Sequence, residues 1–477
     1  MKNYEFTMLI NGELVNADNS FPVLNPATGE VITTVPDISE AQVEQTLEHA
    51  RAGFATWSST PLSKRAELIL SYASVLEDNA DDIIAILIEE TGKPRDNAEY
   101  DFGMLITCLR FFVEEAKRVE QPVIVDPEER FHHFIQRQPL GVVVGYLAWN
   151  FPLLNLGYKL APSLASGCSC IIKPSQVTPL ATLKCAELAQ QVGFPPGVIN
   201  IITSNNYDNT NPLLTSDKTS LFTMIGSTRA GVNAMKTACT SVKHFSVELG
   251  GNAPVLVYDD ADIDKAVTDI VNLKFANSGQ VCVSPNRCFV HQSRIAEFID
   301  KAVTHAKGIE LGTGNEAERL MGPLSSEKER SRIVKLIDDA VENGAKIALG
   351  GGVPDSRTNG FYLEPTILTD VSESMEVTRT EVFGPVLSII PFSDSDDVIA
   401  KANDTEFGLS AYVYTTNLSR AFKAAKGIQA GSVCINEAHY SVQLPHGGLK
   451  QSGVGKDCSK YSLQEFYTNK RVSVLIE

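Results

Sequence analysis

The turn Asn277-Ser278-Gly279-Gln280-Val281-Cys282-Val283-Ser284 carries the most pointed chemistry in this chain. A thiol is the most nucleophilic side chain near neutral pH, because at an ordinary pKa of about 8.5 a small fraction is already thiolate. Upstream, Ser246-Val247-Glu248-Leu249-Gly250-Gly251 sets a carboxylate in apolar, glycine-rich surroundings. Such a setting is expected to raise the pKa of Glu248 and suit it to base work. Earlier still, Ala148-Trp149-Asn150-Phe151-Pro152 presents an amide at the end of an apolar run. A thiol, a carboxylate and an amide donor are the parts needed for covalent catalysis on a carbonyl.

A chain of 477 residues is too long for one core, so two or three domains are expected. The 43% apolar and 21% charged content is that of an ordinary globular protein. A formal charge of −17 disfavours nucleic acid and anionic membrane surfaces as partners. The N-terminus shows no basic stretch followed by an apolar one, and no apolar run approaches about 18 residues. A cytoplasmic protein with no membrane span is therefore expected. The nine cysteines are odd in number, and most lie in apolar runs. Cys168-Ser-Cys170 lacks the spacing of a zinc pair, so no metal site is expected and eight of the nine read as reduced, mostly structural thiols.

The elements that must position these groups follow from the pattern. Residues 1–36 read as short strands with turns at Asn11-Gly12 and Thr28-Gly29. Four helices follow; the first carries a capping box at Ser39 and Gln42. From Gly141 onward, apolar strands near 141–147, 168–172, 198–202 and 221–225 alternate with helices. That is the signature of a parallel sheet covered on both faces, whose ligands bind at the carboxyl ends of its strands. Asn150, Lys173 and Gly226 each follow a strand, so they are expected to converge on one edge. A second α/β unit holds the cysteine turn. The expected fold is α/β, with two Rossmann-like parallel-sheet domains and a small β-arm for oligomerisation. Its divisions are 1–119 with 138–250 for the cofactor, 251–431 for catalysis, and 120–137 with 460–477 for the arm. The catalytic centre then sits in the cleft between two domains.

On the cofactor side, no G-x-G-x-x-G fingerprint follows any strand. Gly226-Ser227 opens a helix, and the free N–H groups there suit either a phosphate or a plain helix cap. Lys173 in Ile-Ile-Lys-Pro-Ser by itself reads as a solvated strand end.

Taken together, these segments resemble the aldehyde dehydrogenase superfamily over nearly the whole chain. Glu248 precedes Cys282 by 34 residues and Asn150 precedes Lys173 by 23, as in that family. Further matches are Lys173-Pro174-Ser175, Glu381-Val382-Phe383-Gly384-Pro385, Asn403-Asp404-Thr405-Glu406-Phe407-Gly408-Leu409 and Gly447-Gly448-Leu449-Lys450-Gln451-Ser452-Gly453. The resemblance implies that Lys173 binds the adenosine ribose of a nicotinamide dinucleotide and that Gly226 and Ser227 lie by its pyrophosphate. It implies that Glu381 holds the nicotinamide ribose, with Phe383 beside it. Trp149, Ser175, Gln176 and Leu249 complete the expected cofactor set. Gln176 stands where many NAD-preferring members carry a glutamate, which leaves both NAD and NADP open. The stretch Thr203–Thr210 lacks the glycine-rich turn usual after this strand.

The chemistry so implied oxidises an aldehyde to the acid. Cys282 adds to the aldehyde carbon, Asn150 and the Cys282 N–H hold the oxyanion, hydride leaves for NAD or NADP, and Glu248 activates the water that releases the acid from the thioester. Asn155, Tyr158, Val281, Val283, Glu437 and His439 are expected to line the substrate's approach, with Tyr440 in the same polar patch. No arginine appears there, which disfavours substrates bearing a carboxylate and favours small polar or hydroxylated aldehydes. Pro445-His446-Gly447-Gly448 departs from the usual Pro-Phe-Gly-Gly. The partners expected are a small-molecule aldehyde and further copies of the chain, as a homodimer or homotetramer. The rival readings are a CoA-acylating dehydrogenase, which Glu248 argues against, a catalytically silent protein on the same scaffold, and a thiol hydrolase, for which no histidine pairs evidently with Cys282.

Overall fold

Five segments of the first half, Val142–Tyr146, Ser169–Lys173, Ile199–Ile201, Thr219–Ile225 and His244–Glu248, pair in parallel in the computed structural model, which describes residues 5–315 and 319–476. Across the sheet they run 199–201, 169–173, 142–146, 219–225, 244–248. Every residue of Val142–Tyr146 and Ser169–Lys173 is buried. Helices cover both faces, so these strands carry no polar alternation. The strand order reverses between 142–146 and 219–225, the switch point at which ligands of open α/β sheets bind. Asn150 follows the first of these strands, Gly226 the second, and Lys173 is the last residue of the neighbouring strand.

The edges differ from the all-parallel expectation. Met8–Ile10 and Glu13–Val15 form an antiparallel hairpin on one side. On the other, Gly453–Val454 returns from the far end of the chain to pair antiparallel with Val247 and Glu248. This return carries residues 445–457 to the carboxyl end of the strand that bears Glu248.

The helix Glu40–Ser59 opens on the expected capping box, with Ser39 and Gln42 each serving the other's backbone N–H. The helix Pro152–Ser166 is buried along its whole length. It lies against the helix Arg95–Ala116, where Gly157 lets the two approach: a Cβ there would stand 3.1 Å from the Leu105 Cα.

The second sheet has seven strands, from Lys346–Leu349 at one edge to Ser432–Ile435 at the other. It therefore reaches past residue 431. Its central strands, Ala253–Val257 and Pro285–His291, are parallel and fully buried. A third sheet pairs Tyr467–Leu475 with Phe131–Pro139 and adds Val123–Ile124. Among the described residues no helix is long and apolar enough to cross a membrane.

Candidate active site

The cysteine turn is built from unusual backbone. Asn277, Ser278 and Gly279 have φ of 48°, 59° and 72°, three successive left-handed residues. Gly279 is obligatory, since a Cβ there would lie 2.1 Å from the carbonyl oxygen of Gly384. Polar anchors hold the strained segment. Ser278 Oγ donates to the Gly322 carbonyl at 2.7 Å, and Gln280 Oε1 accepts from the Ser325 N–H at 2.9 Å. Gly251 lies under the nucleophile, where a Cβ would come within 2.2 Å of the Cys282 carbonyl oxygen.

Asn150 reaches this turn from the first sheet. Its Nδ2 donates to the Gln280 carbonyl at 3.0 Å, two residues before Cys282. Its own carbonyl accepts from Lys93 Nζ and from Asn277 Nδ2, both at 3.0 Å. Lys93 is fully buried and paired with Asp101 at 2.8 Å. An amide NH2 has two protons, so Asn150 keeps one donor beyond Gln280.

Glu248 is 5% exposed and meets a residue absent from the expected set. His446 Nε2 lies 3.1 Å from Glu248 Oε1 and 3.9 Å from Cys282 Sγ. The expectation that no histidine pairs with the cysteine is thus overturned. His446 is carried in by the returning chain, locked to Asp457 by two backbone hydrogen bonds of 2.8 and 2.6 Å. Its ring also meets Tyr440 edge-on at 4.9 Å.

The electrostatics run opposite to the expectation for Glu248 and move Cys282 away from an ordinary thiol. Burial by itself raises the Glu248 carboxyl, but the charge and hydrogen bond of His446, with Lys159 behind, bring it below the ordinary value. Burial, reinforced by the Glu248 carboxylate, pushes the Cys282 thiol well above its ordinary value. The resting site is therefore a neutral thiol beside an ionised carboxylate. Behind it Lys159 Nζ bonds both Asp457 oxygens, at 2.6 and 2.9 Å, with both side chains buried.

The cofactor set lies along the first sheet's carboxyl edge and across to the second unit. Lys173 Nζ faces the rings of Tyr146 and Tyr207 at 5.4 and 5.2 Å and has no carboxylate in ion-pair range among the described residues. Burial lowers it to about 8. Ser175 Oγ accepts from the Val177 N–H at 3.3 Å, with Gln176 half-buried inside that turn. Ser227 caps the helix Thr228–Ala238 by accepting from Ala230, and Gly226 donates to the Glu248 carbonyl at 3.1 Å. Leu249 packs against Gly231, where a Cβ would meet it at 2.5 Å. Glu381 accepts from the Gly251 N–H at 2.8 Å, and burial raises it to about 7. The rings of Trp149 and Phe383 meet edge-on at 5.3 Å. Where a glycine turn is missing after Ile201, Asn206 instead caps the helix Tyr207–Thr215.

The substrate expectations need correction. Asn155 turns inward, donating to the Ala148 carbonyl at 3.1 Å and to Asn150 Oδ1 at 3.4 Å, which places it to steady Asn150. Glu437 and His439 are exposed; Glu437 points at Lys265, 4.0 Å away, on the surface. Their neighbour Tyr440 reaches the site, its hydroxyl 3.2 Å from that of Tyr158. Val281 flanks the thiol half-buried, and Val283 is buried with its carbonyl accepting from Tyr412 at 2.7 Å. Six cysteines are buried and free, whereas Cys239 is exposed and Cys434 half-exposed.

A two-sheet α/β body with a thiol, a carboxylate and an amide gathered between the sheets defines a class of dehydrogenase that oxidises aldehydes through a cysteine, using NAD or NADP. Residues 14–472 match the model of the aldehyde dehydrogenase family, and the chain belongs to that family. It is 36% identical over 456 residues to a probable succinate-semialdehyde dehydrogenase (NADP(+)) of Sinorhizobium fredii, covering 95% of this chain and 92% of that protein. It is also 36% identical over 461 residues to a peroxisomal aminoaldehyde dehydrogenase 1 of Malus domestica, covering 95% and 92%. A solved structure of betaine aldehyde dehydrogenase from Staphylococcus aureus in complex with NAD+ superposes with a TM-score of 0.95 at 32% identity, covering 98% of this chain and 97% of that one.

Proposed function

We propose that Cys282 is the nucleophile, Asn150 the oxyanion donor and Glu248 the base. The single observation that carries this reading is their convergence. Cys282 Sγ and a Glu248 carboxylate oxygen lie within 4.8 Å, and the Asn150 amide is bonded to the turn two residues before the thiol. With Glu248 ionised and Cys282 neutral, the sulfur passes its proton to Glu248 as it adds to the aldehyde carbon, and Glu248 gives that proton up to solvent, so it is a carboxylate again before hydrolysis. The thiohemiacetal oxyanion takes the second Asn150 N–H and the Cys282 backbone N–H. Bound NAD or NADP supplies the hydride acceptor, and a thioester on Cys282 remains. Glu248 then takes a proton from water, and the acid leaves.

The residues fit the cofactor. Lys173 offers an ammonium held against two tyrosine rings, the helix at Thr228 offers free N–H groups, and Glu381 has one oxygen beyond its bond to Gly251. In this reading residues 1–119 with 138–250 hold the dinucleotide and the unit beginning at 251 supplies the thiol. The substrate is a small polar aldehyde, neutral or cationic. Tyr158, Tyr440 and His446 wall the site with aromatic and polar surface, and the nearby ammoniums of Lys159 and Lys93 are each paired with a buried carboxylate, Asp457 and Asp101. The semialdehyde substrate in the name of the Sinorhizobium relative is the alternative for this pocket. A panel of amino-, hydroxy- and carboxy-aldehydes, each assayed with NAD and NADP by nicotinamide absorbance, decides between them. Preference for the carboxylated aldehydes overturns the substrate reading.

The arm supports a homodimer or homotetramer. Val123 and Ile124, 71% and 50% exposed, form one outer strand of the arm's sheet, with Val125 after it 84% exposed, and Val474 and Leu475 on the other outer strand are 47% and 56% exposed. An apolar open edge of this kind pairs with another chain. Sedimentation of the intact protein reads the assembly directly, and a monomer contradicts it.

A further inference from the structure

The three side chains at the centre of the site can do something besides the chemistry proposed above. Cys282 Sγ, His446 Nε2 and a Glu248 carboxylate oxygen all lie within 4.8 Å of one another. The sulfur–nitrogen distance is 3.9 Å and the nitrogen–oxygen distance 3.1 Å. One ring nitrogen therefore faces both partners. A relay through an imidazole uses its two nitrogens, one toward each partner, and this arrangement offers no such path. Three different donors turned toward one point suit a cation instead.

Zinc bonds thiolate sulfur at about 2.3 Å and imidazole nitrogen or carboxylate oxygen at about 2.0–2.2 Å. At tetrahedral angles such ligand atoms stand roughly 3.3–3.6 Å apart. The two measured distances fall on either side of that range, so small side-chain rotations close the site.

We infer that Cys282, His446 and Glu248 bind a thiophilic divalent cation, zinc above all, and that the bound ion switches the enzyme off reversibly. As the sulfur–metal bond forms, the thiol proton leaves to solvent. The imidazole lone pair and the carboxylate complete three bonds, and a water takes the fourth position. Nothing is oxidised or reduced. The ion holds the nucleophile and the base together, so an arriving aldehyde meets neither. Cysteine spacing alone gives no hint of a metal site, because these ligands come from positions up to 198 residues apart. The inhibitory half of the inference rests on the roles proposed for Cys282 and Glu248; the binding half rests on donor geometry alone.

The test titrates the full-length protein, without nicotinamide, with cobalt(II) and then zinc. The expected result is one ion per chain, with a sulfur-to-cobalt charge-transfer band that zinc abolishes. The band disappears in Cys282→Ser, and affinity falls at least tenfold in His446→Phe and in His446→Asn, each checked for folding by circular dichroism. Zinc inhibits turnover of the unmodified enzyme, and a chelator restores it. Absence of the band, its survival in Cys282→Ser, or unchanged affinity in both His446 variants overturns the inference. Because the band is read without turnover, its absence leaves the catalytic assignments standing, and their failure leaves the band in place.

Discussion

The carboxylate of Glu248 and the ring of His446 meet at 3.1 Å in a site where both side chains are almost wholly buried. This contact decides the ionisation of the base. Burial is the largest influence on Glu248 and raises it; His446 reverses the sign, by charge and by hydrogen bond. A carboxylate held below its ordinary pKa stays ionised through the neutral range and loses its charge only as pH falls through that lowered value. In His446→Phe, burial acts without its main opponent and the carboxyl rises. The acid limb of the kcat–pH profile is therefore expected to move to higher pH. A profile unmoved on its acid side removes His446 from this role.

Asn150 is expected to act on the transition state and Asn155 to act through it. Loss of one oxyanion donor costs about 10²–10³ in kcat. Asn150→Ala should show that loss in kcat, with little change in KM. Asn155→Ala removes the donor 3.4 Å from Asn150 Oδ1 and should give a smaller loss of the same kind. Steady-state kinetics on both variants and the double variant test the ordering. Additive losses contradict action through Asn150.

Gly251 has no room for a methyl group, because a Cβ on it would stand 2.2 Å from the Cys282 carbonyl oxygen. Gly251→Ala must push the nucleophile's backbone away. Misplacement of a reacting group by about 1 Å costs about 10²-fold. The expected outcome is a folded protein whose turnover falls by about that factor, with circular dichroism unchanged. Full activity contradicts the placement of the turn.

Lys173 is lowered to about 8 by burial. Below that pH it is an ammonium, and above it the charge fades. An anionic partner favours the charged form, so binding of a 2′-phosphate takes up a proton. NADP affinity is expected to weaken as pH rises above 8, more steeply than NAD affinity, and the difference to vanish in Lys173→Met. Fluorescence titrations at several pH values measure it, and parallel pH dependence for the two cofactors contradicts it.

Much of this is legible in the chain. Fully apolar strands announce a covered parallel sheet, and the residues at or just after their ends, Asn150, Lys173 and Gly226, fall at its carboxyl edge for that reason. The capping box at Ser39 is local chemistry and appears where expected. What escapes is long-range. His446 reaches Cys282 only because residues 453 and 454 turn back to pair with the first sheet, 164 positions of sequence separating the two side chains. The direction of the Glu248 shift escapes with it, since local composition shows burial but not the partner that opposes it. Glu437 and His439 escape for a third reason: on an irregular loop, neighbours in sequence face different ways, so Glu437 points at Lys265 while the Tyr440 ring meets His446.

The central claim is the division of labour between Cys282 and Glu248, and rapid mixing of Glu248→Gln with aldehyde and NAD or NADP tests it most directly. The account predicts a burst of reduced nicotinamide close to one per active site, followed by almost no turnover, and no burst at all in Cys282→Ala. Sustained turnover at the unmodified rate in Glu248→Gln, or any burst in Cys282→Ala, contradicts it.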